Sequence, residues 1–175
     1  RKESMLNPKP FIAETTAGIL ELRPNAVRIF PTVVVSGTEL EVLYKKGLYK
    51  PLALDKAIEI CKEMANRFEE AGIKVLKLGL QPSDFFGLST GVVDGPFHPS
   101  FGHMVTSAKY RDKVGAILKD KKGISDASFK VNPKEMSAFV GLNRSNIEQM
   151  KRLYSLDEIN VIADTSLKAG EVAFF

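Results

Sequence analysis

Ten residues, 26–35 (AVRIFPTVVV), constrain the fold most. A near-continuous apolar run rich in β-branched side chains suits a strand buried on both faces, as in a parallel sheet. Pro31 has no N–H to give to a sheet, so pairing is expected to end or bulge near it. Residues 10–22 precede the run with apolar positions at helical spacing (Phe11, Ile12, Ile19, Leu20, Leu22), and Pro24-Asn25 ends that helix. Ser36-Gly37-Thr38 turns the chain. Thr38 is placed to cap a short helix running to Lys46, which Gly47 stops. Residues 54–71 form the clearest helix. Ala57, Ile58, Cys61, Met64, Ala65 and Phe68 make one apolar stripe, with Asp55 in the first turn and Gly72 past the end. A second strand follows at 73–80. Two strands joined by a long helical crossover imply right-handed βαβ connectivity in an α/β domain.

Residues 82–103 are rich in Gly, Pro and Ser but also carry Phe85, Phe86, Phe97 and Phe101, which predicts a packed loop. Residues 100–118 read as a helix and 119–126 as a linker. A second small unit occupies 127–175: a strand at 127–131, a helix at 133–140 opened by Pro133, a loop at 141–144, a helix at 145–156, a strand at 159–163 and a further strand at 171–175.

The chain has 175 residues and a formal charge of +4. That mild excess permits an anionic partner without requiring one. Its basic residues crowd 109–122 and return at Arg144, Lys151 and Arg152. No apolar run approaches the ~18 residues of a membrane span. The opening Arg1-Lys2-Glu3-Ser4 is not a signal peptide, and with no starting Met it fits an excised piece. The single cysteine, Cys61, lies in the helical stripe as a small apolar filler; it excludes an internal disulfide framework and any CxxC metal site. Sparse cysteine fits a reducing cytoplasm. His98 and His103 are five apart, which is not the i, i+4 spacing of helical metal pairs, and a structural role is expected for both.

Residues 27–52 (VRIFPTVVVSGTELEVLYKKGLYKPL) resemble the radical S-adenosylmethionine (SAM) domain of the Elongator catalytic subunit family and its bacterial relatives. The likeness rests on the strand ending in Phe-Pro-Thr, on Gly37-Thr38-x-Leu40 and on Gly47-x-Tyr49-Lys50. It implies that residues 1–118 are the C-terminal part of a partial (β/α)6 barrel. It also implies that the full-length protein binds SAM and a [4Fe–4S] cluster, the latter through a CxxxCxxC motif near the start of the barrel. One cysteine cannot supply three thiolates, so this chain alone is not expected to be catalytic and needs the rest of the same polypeptide. Ligands of parallel α/β sheets sit at the C-terminal ends of strands, which makes Thr32 and Gln81 candidate cofactor contacts; Arg28, a charge within the apolar run of the first strand, joins them as a contact for an anion if it points into the barrel.

In the second unit, the order strand, helix, loop, helix, strand and the string Phe139-Val140-Gly141-Leu142-Asn143-Arg144-Ser145-Asn146-Ile147 resemble a KH domain, an RNA-binding module. Its GxxG loop lets an RNA backbone approach a helix N-terminus. Arg144 replaces the second glycine. Gly141, Asn143, Arg144, Lys151 and Arg152 are thus the candidate RNA contacts, with tRNA or other RNA as partner and neither DNA nor membrane expected. Three functions follow as expectations: a fragment of a radical SAM enzyme directed at RNA, as in tRNA modification; a coproporphyrinogen III oxidase-like radical SAM oxidoreductase; or a non-catalytic RNA-binding module.

Overall fold

The computed structural model describes residues 8–81, 91–121 and 123–175, with side chains from residue 12 onward. Phe85 and Phe86 of the expected packed loop lie outside the described residues. The chain is mixed α/β, built of helices and small sheets, and divides into two compact units, Arg1–Gly102 and His103–Phe175.

In the first unit, α1 (Pro8–Leu22) leads into β1 (Ala26–Ile29), β2 (Val34–Val35), α2 (Glu39–Lys45), α3 (Leu54–Glu70), β3 (Lys74–Leu78) and β4 (Val92–Asp94). Residues 26–35 are therefore two short strands rather than one. The break spans Phe30-Pro31-Thr32-Val33, where Pro31 can donate no hydrogen bond to a ladder. β1 pairs in parallel with β3, with Ala26 opposite Lys74 and Ile29 opposite Leu78. β2 turns away and pairs antiparallel with β4, which formed part of the expected loop. Thr38 caps α2: its hydroxyl accepts from Glu41 N at 3.3 Å, while Glu41 reaches back to accept from Gly37 N at 2.9 Å. The apolar stripe of α3 is buried through Ala57, Ile58, Ile60, Cys61, Ala65 and Phe68. Gly79, with φ of +76°, receives the ring of Phe101 where any side chain would collide, since an added Cβ would lie 2.6 Å from the ring.

The second unit holds most of α4 (Phe101–Leu118), then β5 (Asp126–Val131), a 3₁₀ turn at Pro133–Glu135, α5 (Met136–Val140), a 3₁₀ turn at Leu142–Arg144, α6 (Ser145–Tyr154), β6 (Glu158–Ala163) and β7 (Val172–Phe174). The sheet order is β6-β5-β7, with β5 parallel to β6 and antiparallel to β7. Alternate residues of β5, Ala127, Phe129 and Val131, are buried, as a strand with one covered face requires. Tyr110, Val114 and Leu118 of α4 join that core with Phe139, Ile147 and Met150. This core thus begins well ahead of the 119–126 segment that composition marks as a linker. Phe139 meets Tyr110 edge-on at 5.5 Å and Phe129 at 5.7 Å. Fully burying each such ring contributes about 1.5–3 kcal/mol. The Tyr110 hydroxyl donates to Glu135. Burial, reinforced by that carboxylate, holds its phenol well above the usual range.

Candidate functional site

Two arrangements bear on the residues expected to bind ligands, one in each unit. In the first, a cavity of about 400 Å³ opens among α1, β1 and α3, lined by apolar Ile12, Ile60, Met64 and Phe68 and edged by Arg28 and Thr32. Arg28, third residue of β1, is exposed, and Thr32 follows the same strand's end. Gln81 is also exposed, beyond the end of β3, and is not among the residues lining this cavity. The structure thus brings two of the three expected cofactor contacts together and leaves the third apart. An apolar cavity with a guanidinium at its edge suits a largely apolar molecule bearing an anionic group.

Cys61 also lines the cavity but is 3% exposed. Burial pushes its thiol up to about 11, so it stays protonated at neutral pH, unlike the thiolates that ligate iron. Among the described residues, no group of three or more His, Cys, Asp and Glu side chains could hold a metal ion. With one cysteine in its sequence, this chain cannot supply the three thiolates of an iron–sulfur cluster. His98 serves a turn, its Nδ1 accepting from Ser100 N at 3.0 Å. The buried Nδ1 of His103 has no hydrogen-bond partner among the described residues.

The second arrangement is the loop between α5 and α6. Gly141 has φ of +79° and ψ of 166°, a combination open essentially to glycine alone. Asn143 (φ +50°) and Arg144 (φ +62°) are both left-handed. Arg144, in the place of a second glycine, therefore holds the backbone shape a glycine would adopt most cheaply. It is exposed and stands at the N-cap of α6, where no side chain caps the helix. An exposed cationic residue thus stands at the positive end of a ten-residue helix, where the dipole favours an anion.

Lys151 and Arg152 lie in the last turn of α6. At 1.5 Å per residue that is about 10–12 Å along the axis from Arg144. Lys151 is 3.8 Å from Glu158 of β6. The loop thus gathers Gly141, Asn143 and Arg144, and the other two cations form a separate step farther along.

One residue of this site escaped sequence reasoning. Asn146 is 1% exposed and makes three side-chain hydrogen bonds. Its signal was a polar residue on the buried face of a helix, four positions before Met150.

Over 99 residues the chain is 45% identical to the tRNA uridine(34) acetyltransferase of Methanocaldococcus jannaschii, an alignment covering 57% of this chain and 17% of that protein. The chain thus matches less than a fifth of that relative's length. No solved structure matches it. Residues 24–111, half of the chain, match the Radical_SAM C-terminal domain. The chain belongs to the Radical_SAM C-terminal domain family.

Proposed function

We propose that this chain is the C-terminal portion of a cytoplasmic radical SAM enzyme that modifies tRNA, and that its second unit is a KH-like module holding the RNA. The reading is carried by the Gly141–Arg144 loop: two consecutive left-handed residues after a glycine, opening an uncapped helix with an exposed arginine. Family membership and the tRNA-modifying relative support the enzyme class. In this reading the parallel β1–β3 pair with α3 between them is the tail of a partial (β/α)6 barrel. SAM and a [4Fe–4S] cluster would be held with residues elsewhere in a longer polypeptide, the cluster by cysteines, since this chain has one cysteine. Arg28 and Thr32 serve the anionic and polar parts of whatever occupies the cavity. Gly141, Asn143 and Arg144 receive one phosphate, and Lys151 and Arg152 approach the next.

The test is a salt titration of bulk tRNA binding, starting at ~50 mM salt, where electrostatic association is strong. The chain is expected to bind, and Arg144→Ala to lower the salt slope by about one. Absence of binding at that salt would leave the second unit structural. It would favour the coproporphyrinogen oxidase-like reading, in which Arg28 meets an anionic small molecule at the cavity edge.

A further inference from the structure

The loop's shape depends on a side chain that points away from solvent. The Asn146 amide nitrogen donates to the carbonyl of Phe139 at 2.8 Å and to that of Ser107 at 3.1 Å. Its oxygen accepts from Arg111 Nη1 at 2.8 Å. Two carbonyls need a donor and a guanidinium needs an acceptor, so the orientation of the amide is fixed. Asp would turn an oxygen toward both carbonyls, and Leu would leave all three partners unsatisfied.

These contacts bear on the loop from both ends. Phe139 lies two residues before Gly141, at the close of α5, and Asn146 itself lies two residues after Arg144, in the first turn of α6. Gly141 packs directly on Asn146, for a Cβ there would lie 2.6 Å from both Asn146 N and Asn146 Cβ. The four loop residues are thus spanned between two points that one side chain ties together, and that side chain is anchored to α4 through Ser107 and Arg111.

We propose that Asn146 is the positioning residue of the RNA-contacting loop, holding Arg144 in the left-handed conformation from which it meets phosphate. This rests on the RNA reading above. A merely structural Asn146 would lower thermal stability and leave the binding of folded protein unchanged.

The experiment is a double-mutant cycle on the full chain, with bulk tRNA as the probe. Anisotropy is read at ~50 mM salt and along a salt series, well below each variant's unfolding midpoint, with circular dichroism checking the fold. Asn146→Ala is expected to weaken binding about tenfold, the scale of one charge-assisted hydrogen bond, and to lower the salt slope by about one. Arg144→Ala is expected to do the same, and the double variant to bind no worse than either, because both remove one contact. Should Asn146→Ala fail to fold, Asn146→Ser, which keeps a polar atom, takes its place with the same outcomes. Wild-type affinity and slope in a folded Asn146 variant, or losses that multiply in the double variant, would overturn the positioning role. Lack of tRNA binding by the wild-type chain would overturn the RNA reading and this role with it.

Discussion

On the proposed RNA reading, replacing Arg144 with glycine should stabilise the protein and weaken tRNA binding, an opposition that few substitutions produce. Arg144 has φ of +62° and is exposed, so it carries the cost of the left-handed region with little burial to offset it. That cost is about 1–2 kcal/mol for an L-residue. Glycine removes it but widens the unfolded ensemble, which costs about 0.4–1 kcal/mol. The balance is a gain of ~0.5–1 kcal/mol, or a rise of about 2–3 °C in Tm for a chain of this length. In the same variant the salt slope of tRNA binding should fall by about one, because the phosphate contact has lost its charge. Differential scanning calorimetry reads the first effect and anisotropy along a salt series the second. A Tm that falls by 2 °C or more would show that the arginine makes stabilising contacts the loop geometry does not account for. An unchanged slope would show that it does not face RNA.

Gly141→Ala should be among the most damaging single-methyl additions in the second unit. The backbone conformation is closed to alanine at a cost of about 1–3 kcal/mol, and the new Cβ would also meet main-chain nitrogen at 2.6 Å. A fall in urea midpoint at unchanged m-value checks this, and a midpoint equal to wild type would refute it. Cys61 should resist alkylation in the folded protein: at pH 8 a thiol pushed up to about 11 is almost wholly protonated, and the residue is 3% exposed. Intact-mass measurement should show iodoacetamide labelling only after denaturant is added. Rapid labelling of native protein would place Cys61 in a more open environment.

Much of the fold was legible because periodicity reports burial. The stripe of residues 54–71, the Thr38 cap and the alternation of 127–131 each follow from a local pattern, and each stands in the structure close to where the pattern puts it. The run at 26–35 misled in one respect: apolar content marks burial but not direction. Val34 is buried, yet it serves a second sheet after the chain turns past Pro31. β4 was hidden because three residues, Val92–Asp94, are too few to show alternation inside a Gly- and Pro-rich stretch. The cavity was not legible at all. It depends on residues near position 12 meeting residues near 60 and 68, a long-range contact that no local spacing encodes.

The same distinction explains why the loop was half readable. Its sequence shows a glycine, then two residues, then a cation, and the resemblance to GxxG supplies the rest. What the letters hide is that position 144 keeps glycine's backbone shape while carrying arginine's charge. A glycine pair recognises phosphate through main-chain N–H groups, at short range and with little dependence on salt beyond the helix dipole. An arginine in the same conformation reaches farther and releases a counterion for the contact it makes. On the proposed RNA reading, the loop built here should therefore bind with a steeper salt dependence and a looser demand on how closely the backbone approaches. Asn146, by fixing the approach of α5 and the start of α6, is what allows the strained residue to hold that position.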